Sequence, residues 1–273
     1  MAVGAYVTVP APARQPHRYG LFSAATIVDT TTPHEQMGVQ WSPLPCDRPD
    51  YWPHDCPTPP DATKTPTTQP PTQHALPITI YGSFECRLVG YSITEATARA
   101  REHLTAGEQH AVEYALWTGI SNNTPTLTGA DTLDLGTASC PAALLARLYA
   151  HTDTHFVGEP LIHIPRAAVP WFGDQLVRDN GRLTTKLGTP VAAGAGYSEA
   201  NTGPTGEPAP DGAYWIYATG PIVLRRGPIH DVPTPAHQGF NTRTNDFTAL
   251  SERRYLAMWD CLTVAALFTP RCG

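Results

Sequence analysis

Residues 94–117 read TEATARAREHLTAGEQHAVEYALW. Leu104, Ala111, Val112, Ala115 and Leu116 recur on one stripe at helical spacing, with Arg99, Glu102 and Glu113 on the opposite face. Gly119 follows and acts as a stop signal, because glycine accepts the left-handed conformation in which helices end. Thr105-Ala106-Gly107-Glu108 matches a capping box inside the run. The pattern therefore predicts one long bent helix or two abutting ones.

Downstream, residues 120–137 are rich in Thr, Asn, Gly and Asp and read as a connection. A second helix is predicted from Ser139 to Ala150, with Pro141 in its first turn and Leu144, Leu145, Leu148 and Tyr149 on its buried side. A short buried strand, Pro160 to Ile164, leads into a predicted helix from Ala167 to Asp179 that is closed by Asn180-Gly181. Strand fragments follow at Leu183 to Leu187 and Pro190 to Ala193, then an exposed loop over 194–212, then strands at Tyr214 to Ala218 and Ile222 to Arg226. After a polar connection from Thr234 to Asp246, Leu250 to Phe268 forms a long extended or partly helical run. Helices and strands thus mix without an internal repeat, an α+β pattern.

Upstream the chain is built differently, since 15 of its 29 prolines fall before residue 78. Residues 1–24 alternate briefly and then carry Pro10, Pro12 and Pro16, which forbid a helix and favour an extended arm lying across something larger. Strand-like pieces at Ala25 to Asp29 and Met37 to Trp41 precede a stretch from Pro43 to Pro77 dominated by Pro, Thr, Asp and Gln. Composition alone fits a linker. Trp41, Tyr51, Trp52, Cys46 and Cys56 argue instead for the tip of a Pro-guarded β-excursion that returns through the strand Pro77 to Cys86.

With 273 residues, 15% charged residues and a net charge of −6, the chain can bury a sizeable core but has no excess of basic residues for phosphates. Sequence-reading nucleic-acid binding is not expected. The longest apolar run, Trp259 to Phe268, is too short to span a bilayer, and the first residues lack the pattern of a secretory signal. Synthesis in a cytoplasm follows as an expectation, with most of the six cysteines reduced. Sixteen of the 18 basic residues are Arg, a bias we attribute to GC-rich coding.

Few constellations carry chemistry. His151 and His155 stand four apart with Asp153 between them and His163 beyond, a spacing that on a helix lets two imidazoles share a metal. The apolar periodicity stops at Tyr149, so the pair is expected in a frayed turn at a helix end, and the metal-dependent hydrolase it would imply has no supporting motif. Cys46 and Cys56, beside His54 and Asp55, could form a small clip or ligate zinc, although the tight Cys pair typical of zinc sites is absent. Gly194-Ala195-Gly196 precedes no helix-forming stretch and so offers no helix N-terminus to a pyrophosphate. Arg225-Arg226 and Glu252-Arg253-Arg254 read as solvated faces. No catalytic residue, metal ligand or cofactor site is assigned.

The order of pieces from residue 81 onward carries a resemblance. A long helix is followed by an apolar helix and by Ile162-His163-Ile164-Pro165; then come Gly181-Arg182-Leu183, Leu187-Gly188-Thr189-Pro190-Val191, Tyr214-Trp215-Ile216-Tyr217, Gly220-Pro221-Ile222-Val223-Leu224 and Glu252-Arg253-Arg254-Tyr255. This order resembles the major capsid proteins of tailed bacteriophages with the Hong Kong 97 fold, in a short form found in phages of actinobacteria. The resemblance covers about residues 81–270.

It implies an N-terminal arm (1–24), an extended E-loop region (25–80), a peripheral domain with a long spine helix (81–137), an axial domain (138–232) and a return to the peripheral domain (233–273). It also implies self-assembly into pentamers and hexamers of an icosahedral virion shell that encloses double-stranded DNA without sequence-specific binding. A separate scaffolding protein and a portal would be partners, because the chain starts directly with the arm. Contacts between subunits are expected through Tyr6, Val7, Trp41, Tyr51, Trp52 and Lys64. In some relatives a Lys of the E-loop bonds to an Asn of a neighbour; Lys64 lies in that region, but the Glu that catalyses the reaction has no assigned place here. An encapsulin-like nanocompartment shell shares the fold, and a decoration or tail protein is a further alternative.

Overall fold

The computed structural model describes residues 12–52, 63–87, 91–232, 240–241, 243 and 246–270. Among them run α1 (Leu21–Ala24), β1 (Thr26–Asp29), β2 (Val39–Trp41), β3 (Gln73–Ala75), β4 (Ile78–Arg87), α2 (Ile93–Thr118), β5 (Leu133–Ala138), α3 (Pro141–His155), β6 (Leu161–Pro165) and α4 (Val169–Phe172). They continue through β7 (Leu176–Asp179), β8 (Arg182–Thr185), β9 (Pro190–Gly194), α5 (Ala195–Ala200), β10 (Tyr214–Thr219), β11 (Val223–Arg226), β12 (His230–Val232), β13 (Phe240–Asn241), β14 (Asp246–Met258) and β15 (Thr263–Phe268).

Two sheets share the work. In the first, β14 is the central ribbon: β4 pairs antiparallel along it from Ile78–Tyr255 to Arg87–Asp246, and β11 and β12 pair on its other side, with β1 parallel to β11 at the edge. Helix α2 lies on β4. Its N-terminal half presents the fully buried Ala96 and Ala100, and Gly82 of β4 comes so close that an added Cβ would stand 2.4 Å from the Leu104 amide N and 2.5 Å from the Ala100 carbonyl O. Small residues on both elements are what permit this approach. From Leu104 onward α2 carries larger residues, Leu104, Val112, Leu116 and Trp117, into the main core.

The second sheet runs β5-β15-β10-β6-β9-β8-β7. Its central strands are apolar on both faces, which is why PLIHI, YWIYA and TVAALF read as near-continuous hydrophobic runs rather than alternating ones. Trp215, Tyr217 and Ala265 point into the core shared with α2, whereas Ile216, Ala218, Val264, Ala266 and Phe268 point into a second core beneath α3.

Several expectations change. Helix α2 is continuous, and its capping box is Ser92 with Glu95; Thr105 sits in the interior, where its hydroxyl donates back to the Arg101 carbonyl. Glu113, expected on the polar face, is fully buried. The predicted helix over 167–179 holds only as far as Gln175, as a 3-10 turn (Arg166–Ala168), the α turn α4 and a second 3-10 turn from Gly173 (φ +50°) to Gln175; β7 and β8 then form a hairpin whose turn, Asn180-Gly181, has positive φ at both residues. Residues 195–200 form a helix, not a loop. The run from Leu250 to Phe268 is two strands in different sheets, broken at Trp259–Leu262, where Cys261 takes φ +65°. Leu21 is a core residue although it lies in the expected arm, and Ala75 is buried although it lies in the Pro-rich stretch.

Candidate assembly surface

The Pro-rich excursion leaves the body through a short ribbon. Strands β2 and β3 pair antiparallel, Val39 with Ala75 and Trp41 with Gln73, so residues 42–72 connect the two strands of this ribbon. Three ties fix its base to the body. The Trp41 indole N–H donates to the Asp260 carboxylate, the Val157 N–H donates to the Cys46 carbonyl at 3.1 Å, and Cys46 is disulfide-bonded to Cys261, 215 residues away. The pairing replaces the expectation of a clip or zinc site shared with Cys56. No spacing rule could show it, because the two residues meet only when the β14–β15 corner folds over the ribbon. Cys56, His54 and Asp55 lie outside the described residues, as do Tyr6 and Val7.

Further out, large side chains face solvent. Tyr51 is 85% exposed, with the Arg48 guanidinium 4.9 Å from its ring centroid; Trp52 is 41% exposed, with the Lys64 ammonium 5.2 Å from its ring. Leu44 is also exposed, as is Met37 just ahead of β2. Cations over aromatic faces hold the rings partly ordered while leaving area to bury against another surface. Trp41 differs from these, being half-buried and engaged with its own chain.

The segment that follows the arm is held by α2. Glu113 accepts from the Leu21 N–H at 2.9 Å and from the Gly196 N–H at 3.1 Å, and the Ala195 N–H also bonds it. Burial pushes its carboxyl up to about 7 against these three donors, which favour the charged form. Gly196 lies so near α2 that a Cβ would stand 2.3 Å from the His110 carbonyl O. The Gly194-Ala195-Gly196 glycines thus serve close packing of α5 on α2. Below them, buried His163 bonds the Tyr197 hydroxyl and Thr219 Oγ1, both at 3.0 Å, and burial pushes it down to about 3, so it is neutral. Trp117 packs on Tyr197 and Tyr217.

His151 and His155 lie on the last turns of α3 rather than in a frayed turn, with ring centroids 4.5 Å apart. His163 is engaged elsewhere, and among the described residues no group of three or more His, Cys, Asp or Glu is placed to hold a metal. The Arg pairs are not simply solvated: Arg225 pairs with Glu35 at 2.7 Å, Arg226 with Asp29 at 2.6 Å and Arg253 with Glu108 at 2.8 Å, the last also bonded by the Tyr255 hydroxyl.

No family model matches the chain, and no curated protein matches it by sequence. Solved structures do match. The chain superposes on the capsid of an empty GTA particle with a TM-score of 0.56 at 13% identity, over 98% of this chain and 95% of that one. The fold is that of a capsid chain. A chain solved from Mycobacterium phage Adephagia gives 0.57 at 14% identity, covering 100% and 96%, and the capsid of Cyanophage P-SCSP1u gives 0.51 at 8%, covering 99% and 94%. The α+β Hong Kong 97-like architecture expected from the order of elements is thus the one observed. None of the helices among the described residues is long and apolar enough to cross a membrane.

Proposed function

We propose that this chain is a phage major capsid protein, a structural component of the virion that assembles with copies of itself into pentamers and hexamers of an icosahedral shell around double-stranded DNA. The observation that carries this reading is the match to capsid chains over nearly the whole length of this chain and of theirs. In this reading residues 1–19 are an arm and 42–72 an E-loop. The sheet around β14 with α2 is the peripheral domain, and most of the sheet around β10, with α3 and the segment 161–219, is the axial domain. Trp52, Tyr51 and Lys64, together with Tyr6 and Val7 of the arm, meet neighbouring subunits, while Trp41 holds the loop's root. Pro fixes much of the loop's conformation in advance, which lowers the entropic cost of ordering it on a neighbour.

The net charge of −6 suits a shell that encloses DNA without binding it tightly. A scaffolding protein and a portal would complete the particle, and synthesis takes place in the host cytoplasm. We assign no enzymatic step. Negative-stain microscopy of the purified protein tests the proposal. Closed shells or rings of five and six support it, and a persistent monomer in the presence of its scaffolding partner refutes it. Shells filled with an enzyme cargo instead of DNA would point to a nanocompartment.

A further inference from the structure

The loop's covalent tie lies where small molecules can reach it. Cys261 is exposed at the β14–β15 corner, whereas Cys46 is half-buried under the ribbon. Two clefts, of about 350 and 640 Å³, are both lined by Cys261, and the smaller also by Cys46, Trp41 and Pro45. Without the bond, what remains at the loop's base is noncovalent: the pairing of β2 with β3, the Trp41–Asp260 hydrogen bond and the bond from Val157 to Cys46 O.

We propose that Cys46 and Cys261 form a redox latch that is open during synthesis in a reducing cytoplasm and closes on exposure to a low-molecular-weight disulfide such as glutathione disulfide. The exposed Cys261 thiolate attacks one sulfur of that disulfide, forming a mixed disulfide and expelling one small thiolate. The Cys46 thiolate then attacks the Cys261 sulfur, forming the protein bond and expelling the second. The two protein thiols lose two electrons, the reagent disulfide gains them, and the two protons end on the released thiols. Unlatched, the loop's root moves with its hydrogen bonds and can adjust while it finds a partner surface. Latched, it is pinned to a corner 215 residues away, so local opening of the ribbon is suppressed. Cys140 is exposed with no partner cysteine in the described structure, so it can form a mixed disulfide with the reagent but no protein bond, and Cys86 is a thiol whose burial raises its pKa and slows its reaction.

The purpose of the latch rests on reading residues 42–72 as an assembly element, but its chemistry is read on the unassembled subunit, so the two fail separately. One portion of cells making the protein is lysed directly into iodoacetamide; from a second portion the subunit is purified with its thiols free, oxidised with glutathione disulfide and only then alkylated. Peptide mapping should find Cys46 and Cys261 alkylated at lysis and joined to each other after oxidation, with Cys140 alkylated at lysis and afterwards alkylated or carrying glutathione, never joined to Cys46 or Cys261. Hydrogen exchange at the β2 and β3 amides and at Val157 should slow by about tenfold on oxidation and recover with dithiothreitol. Under glutathione disulfide Cys46→Ser should retain one glutathione on Cys261, while Cys261→Ser leaves Cys46 largely free. A bond already present at lysis, a different pairing after oxidation, or exchange that ignores the redox state overturns the proposal. The wild-type comparison stands even if a variant fails to fold.

Discussion

Replacing Glu113 with Gln should change how stability depends on pH. In the folded chain the carboxyl is pushed from its ordinary 4.5 to about 7, chiefly by burial. The folded state therefore holds a proton that the unfolded chain releases between those values. Unfolding free energy attributable to this group falls as pH rises from about 4.5 to about 7 and is level above that. Multiplying the shift by the cost per pKa unit gives a loss of about 3 kcal/mol across the window. Gln cannot ionise, so its contribution is flat. Both carboxylate oxygens accept backbone N–H groups, so the Gln NH₂ must face one of those donors, at a constant cost of about 1–3 kcal/mol.

His163 acts in the opposite direction. Its folded value is pushed down to about 3, so stability is lost as pH falls below about 6.5, but it does so equally in both proteins and cancels in their difference. The assay is urea unfolding of the unassembled subunit at pH 5, 6, 7 and 8. The free energy of the variant relative to wild type should rise by about 2.5 kcal/mol from pH 5 to pH 8, since part of the loss has already occurred at pH 5. Parallel pH profiles would show that Glu113 does not hold a proton in the folded state, and would refute the reasoning.

Gly82→Ala should destabilise the subunit by about 1–3 kcal/mol, because the atoms its Cβ meets belong to the α2 backbone and cannot rotate away; calorimetric melting without a lowered transition would contradict the close approach. Replacing residues 47–72 with a short Gly-Ser linker, which keeps Cys46 and the β2–β3 pairing, should leave cooperative melting intact and abolish large particles by sedimentation, while shells that still form would remove the loop from the assembly surface. Replacing the whole stretch from 43 to 77 is the wrong experiment, since Ala75 belongs to the core and the Leu76 N–H bonds the Thr124 carbonyl.

Much of the fold was legible without coordinates, because it rests on local periodicity. The α2 stripe, the Pro141 start of α3, and the strands Ile78–Arg87, Leu161–Pro165, Tyr214–Thr219 and Val223–Arg226 all follow from spacing, β-branched content and breaker residues. Local pattern failed where a distant partner decided the outcome. Residues 195–200 look like loop because their glycines are there to let α5 touch α2, and residues 176–179 pair with 182–185 once Gly173 has ended the preceding turn. Glu113 carries a polar label on an amphipathic helix, yet backbone N–H groups from Leu21 and Gly196, far away in the chain, meet it in the interior. Cys46 and Cys261 have the same history. Periodicity reports which face of an element is apolar, through interactions a few residues long. It holds no information about which remote donor, thiol or glycine will be opposite, because that is set by how the two sheets and α2 close on one another.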